Sequence, residues 1–330
     1  MARPVACLGA GRMGRGLAHA LAWAGREVRL LDVKRRDEAG FAALEAAALS
    51  EIREGLEMRA GFGALDAEAI PRLTARVSIH PRGSAPETLT GAEFVFEGVP
   101  EQREPKADAF ALFDAHGEPD AILASTTSSF LSTMLAELTA RPESALNAHW
   151  LNPAFLMPLV EISPSDRTAD ETTRRTLAFL EDVGKVPVLC AASPGYIVPR
   201  IQALAMNEAA RLVEEGVASA EDVDKAVTYG FGLRFAVLGL LEFIDWGGCD
   251  ILHHAGSYMA EATGRDGFAP PEIVRRHMAE GRIGFRTGSG FLDYEGLDLD
   301  AHRRRRLAAF ERMAREAGLA HPPALDDDSA

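Results

Sequence analysis

Gly9-Ala10-Gly11-Arg12-Met13-Gly14 follows the apolar run Pro4-Val5-Ala6-Cys7-Leu8 and precedes a helix-like stretch from Leu17 to Trp23. A strand, a glycine turn and a helix in that order read as a dinucleotide-binding turn. Gly9 allows the tight bend, Gly11 lets the backbone approach a pyrophosphate, and Gly14 lets the helix lie close on the sheet. The N–H groups of the first helical turn, from Arg12 and Met13 onward, then face the phosphates. Gly25 ends the helix as a C′ glycine does, Arg26 to Leu31 reads as a second strand, and Asp32 closes it. The alternative, a glycine-rich loop without a ligand, gives that context no role. Asp32 lies 18 residues after Gly14, close to the ~20 expected of an acid that takes a ribose 2′-hydroxyl. An anion there repels a 2′-phosphate, so NAD is favoured over NADP. Lys34, Arg35 and Arg36 pull the other way, because a neighbouring cation can accommodate that phosphate.

Outward from this turn the chain alternates strand and helix. A long Ala/Leu/Glu-rich helix is expected over Glu38 to Ala60, and a short one near Leu65 to Leu73. Together they form a helical hairpin projecting from the sheet. Strands are expected at Arg76 to His80, Phe94 to Glu97, Ala121 to Ser125 and Ala145 to His149, with helices at Glu104 to Ala115 and Arg167 to Val183, then a strand at Val186 to Ala191. Such alternation implies a largely parallel α/β sheet whose ligands gather at the carboxyl ends of its strands. Ser193-Pro194-Gly195 punctuates a change of texture, which places a domain boundary between 1–192 and 193–330. The second part is nearly all helical: Val198 to Glu215, Ser219 to Tyr229, a long apolar segment Ala236 to Thr263, Pro271 to Glu280, and a final arginine-rich helix after the Gly281 to Gly290 turn. The tail from His321, with Pro322-Pro323 and Asp326 to Asp328, is expected to be disordered.

The 330-residue length suits two domains with substantial cores. A net charge of −14 argues against nucleic acid, whose phosphates need a basic face, and Arg303 to Arg306 reads as a solvated helix face. The longest apolar run, Phe235 to Leu241, is far short of a ~20-residue membrane span, and no charged-then-apolar leader opens the chain, so no membrane association and a cytoplasmic location are expected. Cys7, Cys190 and Cys249 are an odd count with no Cys-x-x-Cys pair; they read as core residues, and no metal site is expected.

Five further stretches carry chemistry. They are Phe96-Glu97-Gly98-Val99-Pro100-Glu101 with Lys106; Ala124-Ser125-Thr126-Thr127-Ser128-Ser129; His149-Trp150-Leu151-Asn152-Pro153 with Glu161; Gly195-Tyr196-Ile197-Val198; and Gly284 to Phe291. Their order and spacing resemble the 3-hydroxyacyl-CoA dehydrogenase family, from the first strand to about Tyr294. The resemblance implies a Rossmann-like NAD-binding domain followed by an all-helical domain that dimerises, and oxidation of a secondary alcohol at C3 to a ketone. It assigns His149 as the base, which suits a reaction in which the hydroxyl proton and a hydride leave together. Glu161 then accepts the other ring N–H and fixes the tautomer. Ser128 matches the serine that bonds the substrate oxygen, although it also reads as one of several loop hydroxyls that satisfy backbone. Asn152 falls within the substrate-side motif. Glu101 and Lys106 match positions near the nicotinamide half, and Glu101 equally suits a helix's first turn.

Three departures bear on the substrate. Pro199 stands where the family usually has an Asn that meets the substrate carbonyl, and Gln202 is the nearest replacement on the same helix face. Thr126 stands where an Asn is more usual. The hairpin Phe41 to Arg72 carries six acids (Glu45, Glu51, Glu54, Glu57, Asp66, Glu68) against three arginines (Arg53, Arg59, Arg72), a poor surface for CoA phosphates. Gly232-Leu233-Arg234-Phe235-Ala236 resembles the gulonate 3-dehydrogenase and lambda-crystallin branch, where an arginine can pair with a free carboxylate; Arg234 also reads as a surface residue at a helix start. The substrate is therefore a short 3-hydroxyacyl-CoA such as 3-hydroxybutyryl-CoA or a free acid such as gulonate or carnitine. A non-catalytic NAD-binding protein is the alternative of a different class.

Overall fold

Strands that are buried on both faces read as short apolar runs, and such runs make the centre of one eight-stranded sheet. In chain order the strands are β1 (Val5–Leu8), β2 (Val28–Leu31), β3 (Val77–His80), β4 (Phe94–Glu97), β5 (Ile122–Ser125), β6 (Ala145–Trp150), β7 (Leu159–Pro164) and β8 (Val186–Leu189). The order across the sheet is β3-β2-β1-β4-β5-β6-β7-β8. Neighbours are parallel except for the antiparallel β6–β7 pair. The computed structural model describes residues 2–321 and 323, so Pro322 and the acidic run Asp326 to Asp328 of the expected tail lie outside the described residues.

The helices that cover this sheet are α1 (Arg12–Trp23), α2 (Glu38–Gly61), α3 (Ile70–Thr74), α4 (Ala85–Leu89), α5 (Arg103–His116), α6 (Ser132–Leu135) and α7 (Asp170–Asp182). Alternation along each strand divides the core in two. Val5, Cys7, Leu30, Phe96, Ala148 and Trp150 pack with Leu17 and Leu21 of α1, Ile52 and Leu56 of α2 and Phe179 of α7. Ala6, Leu8, Val95 and Leu123 pack on the other face with Leu89 of α4 and Phe110 and Phe113 of α5. The expected hairpin is thus anchored rather than free: Ala48, Ile52 and Leu56 give α2 a buried stripe within the first core. Asp37 caps α2 by accepting the Gly40 N–H at 2.8 Å.

Contacts divide the chain into compact units Met1–Ala205 and Met206–Ala330, later than the boundary expected at 192, because the division falls inside α8 (Val198–Glu214). The second unit is helical: α9 (Ala220–Ala226), α10 (Leu233–Phe235), α11 (Leu240–Gly247), α12 (Cys249–Thr263), α13 (Glu272–Glu280) and α14 (Leu299–Glu316). The long apolar segment expected over Ala236 to Thr263 is broken twice. A turn precedes α11, and Gly248, at φ 114, separates α11 from α12. Where a plain helix was expected to run to Tyr229, a π-helical turn spans Val227–Gly232.

A buried carboxylate organises the glycine-rich segment of this unit. Asp245 accepts the N–H groups of Phe291 and Leu292 and the Tyr294 hydroxyl at 2.8–3.0 Å. A Cβ on Gly290 would meet the Asp245 carboxylate at 2.1 Å, so the loop needs glycine there. Arg306 is no mere solvated residue: Glu242, buried, accepts its Nε at 2.7 Å and its Nη2 at 2.8 Å. Among the described residues, no single helix is long and apolar enough to cross a membrane; one sharply bent pair, Ala220–Phe235 with Leu240–Gly247, passes on length and composition alone.

Candidate active site

The glycine turn is built as its sequence requires. Gly9 has φ 113, and a Cβ there would lie 2.8 Å from the Gly98 carbonyl oxygen; a Cβ on Gly14 would lie 1.9 Å from that of Gly9. Gly11 by contrast faces open space, with nothing within 4 Å of such a Cβ. It is the N-cap of α1 and offers no side-chain cap, so the first-turn N–H groups are left for an anion. The cavity beside it, about 330 Å³, is lined by Gly11, Arg12, Met13, Asp32 and Val99 among others. Asp32 follows β2 and is buried; its Oδ1 accepts the Lys34 N–H at 3.2 Å and its Oδ2 accepts Arg36 Nε at 2.6 Å. Open glycine backbone, free helix N–H groups and an acid at the end of the second strand fit NAD.

On the face of the sheet away from Trp150, polar side chains replace apolar ones, with Glu97 and Ser125 at the ends of β4 and β5 and Asn147, His149 and Glu161 within β6 and β7, each 5% exposed or less. Lys106 of α5, equally buried, donates to both oxygens of Glu97 at 3.0 and 3.1 Å. Glu97 also accepts the Val99 N–H and the Ser125 hydroxyl. Lys106 therefore braces the ends of β4 and β5 from within, and its second carboxylate is Glu101 at 3.4 Å. Of the two residues expected near the nicotinamide, Glu101 is the exposed one. It accepts the Thr127 hydroxyl at 2.8 Å and the Ser128 N–H at 2.6 Å, which fixes the turn after β5. Ser128 is left exposed by that turn.

His149 was expected to end a strand, but it and Glu161 both lie within strands, as register partners across the antiparallel β6–β7 pair. His149 Nδ1–H donates to Glu161 Oε2 at 2.8 Å, so the lone pair belongs to Nε2. Glu161 Oε1 accepts the N–H groups of Ile197 and Val198 at 2.9 and 2.8 Å, where α8 begins. The helix dipole favours an anion at this place. Pro199 follows, and its missing N–H takes nothing from this arrangement. The Tyr196 ring stacks on the imidazole, with centroids 4.9 Å apart and planes within 5°.

Asn152 is exposed on the loop after β6 and precedes a cis peptide to Pro153. Gln202 is exposed on α8. Arg234 belongs to the second unit, where it is exposed with its guanidinium over the Phe243 ring at 4.7 Å. The structure thus groups Glu101, Lys106 and Ser128, and separately pairs His149 with Glu161. Sequence reasoning gave no role to Glu97, Asn147 or Tyr196. A glutamate ending an apolar strand was the one available signal for Glu97.

A buried imidazole whose Nδ1 is paired to a carboxylate keeps Nε2 free to take a proton from an alcohol. Residues 4–193 match the model for the 3-hydroxyacyl-CoA dehydrogenase NAD binding domain, and residues 195–294 that for the C-terminal domain of the same family. The 5-formyl-3-hydroxy-2-methylpyridine 4-carboxylate 5-dehydrogenase of Mesorhizobium japonicum is 31% identical over 319 residues, covering 95% of this chain and 98% of that protein. A probable 3-hydroxybutyryl-CoA dehydrogenase of Bacillus subtilis is 32% identical over 291 residues, covering 87% and 96%. The crystal structure of a 3-hydroxyacyl-CoA dehydrogenase from Archaeoglobus fulgidus superposes with a TM-score of 0.76 at 29% identity, covering 97% of this chain and 100% of that one. By the match of both its domains, the chain belongs to the 3-hydroxyacyl-CoA dehydrogenase family and is an NAD-dependent oxidoreductase.

Proposed function

We propose that the enzyme oxidises the C3 hydroxyl of a 3-hydroxyacyl substrate to the ketone, with a short acyl-CoA such as 3-hydroxybutyryl-CoA as its substrate. The observation that carries this reading is the 2.8 Å bond from His149 Nδ1 to Glu161. It leaves Nε2 as a lone pair that takes the hydroxyl proton, while Glu161 stabilises the imidazolium that results. NAD, held by Gly9, Gly11, Gly14 and Asp32, supplies the hydride acceptor. Ser128 bonds the reacting oxygen, and the Glu101 clamp on its backbone keeps that hydroxyl in place. Asn152 lines the substrate side. The test is NADH formation with a panel of hydroxyacyl-CoAs and free hydroxy acids; turnover of free acids alone, or of neither class, contradicts the reading.

A free-acid substrate is the second reading. The acidic hairpin and Pro199 disfavour a CoA ester, Arg234 is an exposed cation, and the Mesorhizobium japonicum relative is named for a carboxylate substrate. A homodimer formed through the helical unit is supported by its exposed apolar residues, with Met206 64%, Ile251 59% and Tyr258 72% exposed. Leu241 is exposed while Leu238 is buried, so only part of the stretch Ala236 to Leu241 serves such a contact. A monomer by light scattering contradicts the dimer. Three free cysteines suit a reducing compartment such as the cytoplasm.

A further inference from the structure

The turn between β8 and α8 contains a strained residue. Tyr196 has φ 45, in the left-handed region that side chains other than those of Asn and Asp rarely enter. Its side chain is nevertheless buried and fixed at both ends. The ring lies parallel on His149 at 4.9 Å. The hydroxyl donates to the Thr127 carbonyl at 2.9 Å and accepts Asn147 Nδ2–H at 3.0 Å. Burial holds that hydroxyl well above the usual tyrosine range, so it remains a donor at any working pH. The next two N–H groups of the same turn hold Glu161. At the other end, the Thr127 side chain is bonded to Glu101, which also holds the Ser128 N–H.

We propose that Tyr196 is a positioning residue for the base: its ring fixes the plane of His149, and its hydroxyl ties that plane to the turn that carries Ser128. An imidazole with one hydrogen bond can still swing about that bond, and a parallel ring packed on its face removes that freedom. The strained backbone is what brings the ring there while Ile197 and Val198 stay aimed at Glu161. This inference rests on His149 being the base.

The test uses the full-length enzyme and two substitutions. Tyr196→Phe keeps the ring and loses the hydroxyl; Tyr196→Asn loses the ring but tolerates the backbone. With the best substrate of the panel, Tyr196→Asn is expected to lower kcat by roughly 10- to 100-fold, the scale of a displaced reacting group. KM and the NADH Kd should stay within about twofold, the pattern of an interaction made only in the transition state. Tyr196→Phe should recover most of the loss. Independently of turnover, the His149 Nδ1 proton should give a slowly exchanging downfield NMR signal in the wild type and in Tyr196→Phe, and lose it in Tyr196→Asn. Wild-type kcat in Tyr196→Asn, equal loss in both variants, or a signal unchanged in Tyr196→Asn overturns the proposal. If Tyr196→Asn does not fold, Tyr196→Gly, which also lacks the ring and accepts the left-handed backbone, takes its place with the same expected and overturning results. A parallel His149→Gln variant separates the two failures, because full activity there removes the base itself.

Discussion

Lys106 and Glu97 form a fully enclosed ion pair, at 1% and 0% side-chain exposure and 3.0 Å apart, beneath the loops that carry Glu101 and Ser128. Removing one charge from such a pair leaves the other buried and unpaired, which costs about 3–5 kcal/mol. Lys106→Met is therefore expected to lower the unfolding free energy by about that amount in a denaturant titration. Adding Glu97→Gln to it should restore part of the loss. A single variant as stable as the wild type would mean that the pair contributes nothing.

Asp32 is expected to govern cofactor choice. Asp32→Ala removes the acceptor for a ribose hydroxyl and releases Arg36, which it now holds at 2.6 Å. A hydrogen bond to a charged group contributes about 1.5–3 kcal/mol, so the NAD Kd should rise roughly 10- to 100-fold. The gap to NADP should narrow, since a freed arginine meets a 2′-phosphate well. Equal turnover of NAD and NADP by the unmodified enzyme contradicts this account.

These two predictions show what was legible. The cofactor turn is local chemistry, a bend that needs Gly9 and a close packing that needs Gly14, so its sequence pattern carries its structure. Lys106 and Glu97 meet from different elements, and no periodicity links them. The strand β7 was not expected, because Leu159–Pro164 carries Glu161 and Ser163 on a buried face where a strand pattern calls for apolar residues. Likewise nothing in Gly195-Tyr196 announces a left-handed tyrosine lying on an imidazole 47 residues earlier in the chain. The site's paired groups came from the family resemblance, and its bracing came only from the structure.

Acid sensitivity is expected from His19. Burial, with Arg59 and Lys185 adding to it, lowers His19 from 6.5 to about 4, and its Nε2 finds no hydrogen-bond partner among the described residues. The folded pKa lies below the unfolded one, so the unfolded chain binds the extra proton first as pH falls. Stability present above about pH 6.5 is then lost progressively toward pH 4. Urea midpoints at pH 7 and pH 5 should differ less in His19→Leu than in the wild type. An unchanged difference would assign the sensitivity to other groups.

Arg234 decides between the two substrate readings. If it pairs with a substrate carboxylate, Arg234→Met should raise KM for a free hydroxy acid by roughly 10- to 100-fold, the effect of losing a charged hydrogen bond. KM for a CoA ester, whose thioester carries no carboxylate, should hardly change. Efficient oxidation of 3-hydroxybutyryl-CoA with no effect of Arg234→Met on any substrate ends the free-acid reading.

In the proposed reaction His149, oriented by Glu161, takes the substrate proton. The most direct test of this step is turnover of His149→Gln measured beside NADH binding in the same preparation. The expected result is a fall in kcat of roughly 10²–10⁴, the range for a positioned base, with the NADH Kd nearly unchanged. Retained turnover in His149→Gln would contradict that role.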